Sequence, residues 1–168
     1  MVEQSRPRCD GKDGRVGRGE LVSAREGHTP GEGRTAMLTL PSNPEHMKLV
    51  RALVGAAAEV VGFVKPDVNC LCLAVDEACT NVIRHAYDGD YTRPIVLELR
   101  MLSDRLEVTL RDYGKKADPA RIKPRELHDI RPGGLGVHFI REIMDEVVYD
   151  VSVDVGTELR MMKLLGKK

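Results

Sequence analysis

Two neighbouring stretches alternate apolar and polar residues with a period of two, and this pattern narrows the choice of fold more than any other feature. Over residues 94–101, Ile95, Leu97, Leu99 and Met101 alternate with Val96, Glu98 and Arg100; over residues 105–113, Leu106, Val108 and Leu110 alternate with Glu107, Thr109 and Arg111. Successive side chains of a strand point to opposite faces, so each stretch reads as a strand with one buried and one wetted face. Ser103-Asp104 supplies the turn between them. Strands of this kind form antiparallel sheets that must be covered on one side only.

The cover lies upstream. Residues 35–40 read as a short strand leading to Pro41-Ser42-Asn43-Pro44-Glu45, where Asn43 can cap a helix and Pro44 can occupy its first turn. That helix, rich in Ala, Val and Leu, continues to about Phe63 and is ended by Gly62 and the Lys65-Pro66 step. A second helix opens at Asp67 and runs to Tyr87, where Asp88-Gly89-Asp90 breaks it. Residues 114–132 are polar and basic and contain proline, which reads as a long loop of the kind that serves as a lid. Gly133-Gly134-Leu135-Gly136 launches a third helix to about Asp145, with Leu135, Phe139, Ile143 and Val147 at helical spacing. Residues 147–153 and 158–165 close the chain as a hairpin around Asp154-Val155-Gly156-Thr157. The order implies an α+β fold, a two-layer sandwich of a mostly antiparallel sheet with its helices on one face. Residues 1–34 are glycine-rich, mixed in charge and without period, and read as a disordered tail before a single domain spanning residues 35–168.

Composition excludes several classes. The 26 basic and 26 acidic residues cancel, so no whole-chain field draws this protein to nucleic acid or to an anionic membrane. No apolar run is long enough to span a bilayer and the N-terminus lacks the layout of a signal peptide, which makes the cytoplasm the expected compartment. The four cysteines, Cys9, Cys70, Cys72 and Cys79, contain no CxxC spacing. Three fall in the second helix, where buried packing is the expectation.

The chemistry is carried by three separated segments. On the second helix Glu77, Asn81 and His85 recur at i, i+4 and i+8, a polar stripe beside the core stripe of Leu71, Val75, Ala78, Val82 and Ala86. A carboxylate one turn from a carboxamide can position or deprotonate a hydroxyl and hold a divalent cation. Arg111-Asp112-Tyr113-Gly114 ends a strand with a carboxylate able to accept an exocyclic amine, and a glycine two residues on lets backbone approach a planar base. Gly133-Gly134-Leu135-Gly136 precedes a helix whose free N–H groups favour phosphate oxygens. Each alone also fits a blander account: a solvated face, a strand-ending turn, a helix cap. No Walker or dinucleotide fingerprint occurs.

In this order, Glu77-Ala78-x-x-Asn81-x-x-x-His85-Ala86-Tyr87, Asp112-x-Gly114, Gly133-Gly134-Leu135-Gly136 and Gly156-Thr157 resemble the N, G1 and G2 boxes and closing Gly-Thr of the GHKL ATPase/kinase superfamily. The branch most similar is the anti-sigma-factor serine/threonine kinases of bacterial partner-switching systems, through the His-Ala-Tyr ending and Ile143-Met144-Asp145-Glu146-Val147. The resemblance covers about residues 35–165. It implies ATP and Mg²⁺ as cofactors, with Asn81 as metal ligand and Glu77 as general base. It implies that Asp112 bonds adenine, that Gly114 shapes the base pocket, and that Thr157 sits beside the base. Gly133, Gly134, Leu135 and Gly136 would surround the phosphates. His85 is expected to be a hydrogen-bonded structural residue. Many relatives carry Gly or Pro two residues after Gly114, where this chain has Lys116.

The implied reaction is transfer of the ATP γ-phosphoryl group to a serine or threonine of a small anti-sigma-factor antagonist, with a sigma factor or other effector as second partner and a homodimer as the expected assembly. Two alternatives accompany it. One is a sequestration module of the same fold without catalysis, against which Glu77 argues. The other is the catalytic part of a histidine kinase, which requires a dimerisation helix bearing a phospho-acceptor histidine.

Overall fold

The computed structural model describes residues 33–117 and 135–166. Expectations placed on residues 1–32, on 118–134 with Gly133 and Gly134, and on the Leu135 side chain lie outside them.

The elements follow the expected order: β1 (Arg34–Pro41), a short 3₁₀ turn (Pro44–His46), α1 (Met47–Val61), α2 (Lys65–Asn81), β2 (Pro94–Met101), β3 (Arg105–Arg111), α3 (Leu135–Ile143), β4 (Glu146–Asp150) and β5 (Glu158–Leu164). The strands form one sheet in the order β1-β2-β3-β5-β4, and every neighbouring pair is antiparallel. This is the expected α+β sandwich. Register links Leu38, Leu97, Leu110, Leu159 and Tyr149 into a single row across the inner face. Ile95, Leu97, Leu99, Leu106, Val108 and Leu110 are all buried, as their alternation requires. They meet Val50, Val54, Leu71 and Val75 of α1 and α2, and each such side chain contributes roughly 1.5–3 kcal/mol through the water it leaves.

Local chemistry accounts for several boundaries. Asn43 Oδ1 accepts the Glu45 N–H at 2.9 Å, with Pro44 in the first turn, as its sequence position predicts. Gly62 adopts φ 107° and closes α1 by donating to the carbonyls of Ala58 and Glu59 at 3.1 Å, a left-handed cap that costs glycine little. Beyond it, α2 begins at Lys65 with Pro66 in its first turn, two residues ahead of Asp67.

Three expectations are corrected. The second helix does not run regularly to Tyr87: from Val82 to Ala86 it widens into a π turn, marked by the Tyr87 N–H donating to Val82 O at 3.0 Å. Ile140 of α3 and Met144 just past it are buried, Ile143 and Val147 pack partly buried against the core, and Phe139 is 47% exposed. Two adjacent stripes of that helix carry apolar residues, and the line turned to the core falls between them. Of the cysteines, Cys79 is buried but Cys72 is only partly covered and Cys70 is exposed, because the apolar character of α2 extends beyond the face turned to the core. Among the described residues no helix is long and apolar enough to cross a membrane.

Candidate functional site

The last turn of α2 presents Glu77 and Asn81, both partly exposed, between the fully packed Ala78 and Val82. The Asn81 Nδ2 is buried and among the described residues finds no hydrogen-bond partner. An amide left in that condition costs stability, about 1–3 kcal/mol, unless something else engages it. His85, expected on the same stripe as a hydrogen-bonded structural residue, is exposed and among the described residues has no hydrogen-bond partner. The π turn explains the difference: with wider winding the residue one turn past Asn81 is Ala86, and His85 swings to solvent.

Asp112, just past the end of β3, is buried with 4% exposure, an unusual place for a carboxylate. Its Oδ1 accepts the Gly114 N–H at 2.9 Å. Burial pushes its pKa up, opposed by the N–H groups of Gly114 and Thr157 and by the charge of Arg111. The Asp112 N–H donates to Thr157 O at 3.0 Å, and the buried Thr157 Oγ1 accepts the Ala117 N–H at 2.9 Å. Gly156 makes this proximity possible. It adopts φ 71°, and a Cβ on it would fall 2.2 Å from Asp112 O.

The backbone following Asp112 is strapped to the π turn. A Cβ on Gly114 would lie 2.3 Å from Ala86 O, and that same carbonyl accepts the Lys115 N–H at 2.9 Å. Tyr87 pins the strap from the other side: its hydroxyl donates to Pro94 O at 2.5 Å and accepts the Tyr113 N–H at 2.9 Å. Arg93 lies over the Tyr87 ring and donates to Tyr113 O at 2.9 Å. Lys115 pairs with Asp88, and Lys116 is exposed. This pinning was not anticipated from sequence, although two tyrosines stand at the motifs it joins, Tyr87 just before Asp88-Gly89-Asp90 and Tyr113 between Asp112 and Gly114.

At the N-terminus of α3, Gly136 faces Glu77, with a hypothetical Cβ only 1.8 Å from Glu77 Oε1. Three close approaches therefore join the separated segments at one end of the sheet: α2 to α3 at Glu77 and Gly136, the π turn to the strap at Ala86 and Gly114, and the strap to the β4–β5 turn at Asp112 with Gly156 and Thr157. Gly133 and Gly134 lie outside the described residues. A cavity of about 320 Å³ is lined by the strap residues Tyr113 and Lys115 together with Tyr87, Asp88, Asp90 and Arg93 among others. It includes Ala86 and Gly114 but none of Glu77, Asn81, Asp112 or Thr157.

Chemically, one end of this constellation offers a buried acceptor beside backbone that carries no Cβ, which suits a planar base with an exocyclic amine. The other offers a carboxylate and a carboxamide one turn apart. Among the described residues no group of three or more His, Cys, Asp or Glu is placed to hold a metal. A magnesium ion fits here only in its usual manner with nucleotides, through one protein oxygen and several phosphate and water oxygens. The unpartnered atom of Asn81 is Nδ2, a donor that suits a phosphate oxygen, and its amide oxygen is the atom with the chemistry to hold such an ion.

This fold and site belong to a class defined by sequence as well: the chain is a member of the histidine kinase-like ATPase domain family, whose model matches residues 40–163. Its relatives include serine-protein kinase RsbW of Bacillus licheniformis, 32% identical over 137 residues and covering 76% of this chain and 84% of that protein. The RsbW of Listeria innocua is 33% identical over 139 residues, 78% of this chain and 87% of that one. A solved structure of the RsbU and RsbW domains of Rv1364c from Mycobacterium tuberculosis superposes with TM-score 0.57 at 16% identity, over 78% of this chain and 32% of that longer one, a likeness of fold. The chain is accordingly an ATP-using protein serine/threonine kinase.

Proposed function

We propose that this kinase transfers the γ-phosphoryl group of Mg-ATP to a serine or threonine of a small anti-sigma-factor antagonist, and that it also sequesters a sigma factor or a comparable effector. The observation that carries the reading is the meeting of Glu77, Asp112, Gly114, Gly136 and Thr157 through the three close approaches, with Asn81 one turn beyond Glu77 on α2. In this reading Asp112 accepts the exocyclic amine of adenine, Gly114 and Thr157 flank the base, and Gly136 with Gly133, Gly134 and Leu135 admits the phosphates at the α3 N-terminus. Asn81 would hold Mg²⁺ through its amide oxygen, and the ion when bound neutralises charge on the phosphates. Glu77 orients the acceptor hydroxyl and takes its proton as the oxygen bonds to the γ-phosphorus and the bond to the β-phosphate oxygen breaks, releasing ADP. A cytoplasmic homodimer completes the proposal.

The experiment is phosphoryl transfer from Mg-ATP to proteins captured by the purified full chain from its host, with partner identity read by mass spectrometry. Transfer to a serine or threonine of one small protein, abolished by Asn81→Ala and Glu77→Gln, is the expected result. Undiminished transfer in Asn81→Ala overturns the metal role. Capture of a sigma factor without any transfer in the unaltered chain overturns the catalytic one.

A further inference from the structure

Arg111 behaves unlike the other arginines on the wetted face of the sheet. Arg100 and Arg105 pair with Glu107 at 2.9 and 2.7 Å, and Arg160 pairs with Asp150 and Glu158 at 2.7 and 2.9 Å. Arg111 shares that face, in register with Val96 and Glu158, yet among the described residues it makes no ion pair; the neighbouring Glu158 carboxylate is engaged by Arg160. Its guanidinium turns to backbone instead. One terminal nitrogen donates to Asp112 O at 2.7 Å and the other to Val155 O at 2.6 Å, while the group lies over the Tyr113 ring, 4.9 Å from its centre.

Those two carbonyls belong to the two segments that make the base end of the site. Asp112 begins the strap that continues to Gly114, and Val155 begins the turn that continues through Gly156 to Thr157. Both oxygens reach the two terminal nitrogens of one planar group, so they lie near each other, and carbonyl oxygens so placed repel unless a cation stands between them. The Asp112 N–H donating to Thr157 O at 3.0 Å ties the same segments once. A single bond of that kind still permits rotation; a two-pronged guanidinium adds the geometric restraint that removes it. The Arg111 charge also works against the upward push that burial exerts on the Asp112 carboxyl, and so favours the ionised form, which only accepts hydrogen bonds.

We propose that Arg111 is a positioning residue for base recognition: from the wetted face of the sheet it locks the strap to the β4–β5 turn at the spacing in which the Asp112 carboxylate meets the exocyclic amine of adenine. The inference rests on the reading of Asp112 as the acceptor of that amine, and its test separates the two. The full chain, with magnesium present, is titrated by calorimetry with ADP and with purine riboside 5′-diphosphate, the same nucleotide without the amine. The unaltered chain is expected to hold ADP more tightly by about tenfold, because the analogue leaves a buried acceptor unpaired. Arg111→Lys keeps the charge and the aliphatic stem but cannot fork. It is expected to bind ADP about tenfold more weakly while the analogue moves less than about twofold, so that the preference collapses. Arg111→Ala is expected to lose at least as much; if melting shows it unfolded, Arg111→Lys alone decides.

Weakening of both nucleotides by one common factor in Arg111→Lys overturns the proposal, since general loosening does not tell them apart, and so does unchanged binding of ADP. A preference for ADP that is lost in Asp112→Asn but kept in Arg111→Lys overturns the Arg111 role and leaves the Asp112 reading standing. Equal binding of the two nucleotides by the unaltered chain removes the amine contact of Asp112, and the Arg111 role with it.

Discussion

The carboxylate of Glu77 occupies the space where a side chain on Gly136 would begin, with only 1.8 Å between Oε1 and a Cβ placed there. The clash is with the far end of a flexible side chain, so Gly136→Ala is expected to fold and to displace Glu77. Its unfolding temperature should stay within a few degrees of the parent. ADP release should fall about as far as in Glu77→Ala, and the double substitution should be no worse than either single one, since both remove the same placement. Additive losses in the double-mutant cycle would refute a shared cause.

Gly114 and Gly156 meet backbone, which cannot swing aside. Gly114→Ala drives a Cβ to 2.3 Å from Ala86 O, and Gly156→Ala combines φ 71° with a Cβ 2.2 Å from Asp112 O. Each should cost about 2–4 kcal/mol in denaturant unfolding and weaken ATP binding. Gly89→Ala is the control. It shares a positive φ of 81° but its Cβ would have no neighbour within 4 Å, so only the conformational cost of about 1–2 kcal/mol remains.

Asp112 links stability to pH. Its pKa is raised by burial, so the folded chain holds that proton more tightly than the unfolded one. Stability from this group is present at low pH and declines as pH rises from the ordinary aspartate range through the raised value. Asp112→Asn should therefore be at least as heat-stable as the parent near neutral pH, with the difference shrinking on acidification. Its single oxygen is already engaged by the Gly114 N–H, leaving a donor towards the adenine amine. ATP affinity should drop about tenfold or more by calorimetry.

Orphaned polarity at Asn81 sets a second opposition between stability and function. Replacing a buried amide whose Nδ2 has no partner removes an uncompensated group. Asn81→Ala is expected to match or exceed the parent by about 1 kcal/mol in unfolding without nucleotide, while losing turnover. A clear destabilisation would mean that the amide has a structural partner after all.

Thiol chemistry should divide the cysteines of α2. Burial pushes the Cys79 thiol to about 12, whereas Cys70 is exposed. Peptide mapping after brief maleimide treatment of the native chain should find Cys70 modified and Cys79 intact, with Cys79 reacting only on unfolding.

The legible part of this protein was the part encoded in short-range pattern. Alternation over Ile95, Leu97 and Leu99 and over Leu106, Val108 and Leu110 carried the strands and their buried face. Asn43, Pro44 and Gly62 carried the bounds of α1. The motif residues Glu77, Asp112, Gly114, Gly136 and Thr157 were singled out by the resemblance of their ordered motifs to a known superfamily, and the fold brings their segments close together. His85 and Phe139 were misplaced for a geometric reason. A period of 3.6 residues presumes uninterrupted α winding and a known facing direction; the π turn breaks the first condition and the choice between two apolar stripes needs the second. Cys70 shows the same limit, since helix composition does not say which side meets the core.

By itself, then, the order of residues determined most of the elements and the inward face of the sheet, since side-chain period, capping and backbone freedom act over a few neighbours. Only the tertiary structure decided that Glu77 rests against Gly136, that the Ala86 carbonyl receives the strap at Lys115 beside Gly114, and that Asp112 meets Gly156 and Thr157. Those are contacts between segments distant in sequence, and their distances are set by how helices settle on a twisted sheet, a property of the packed whole.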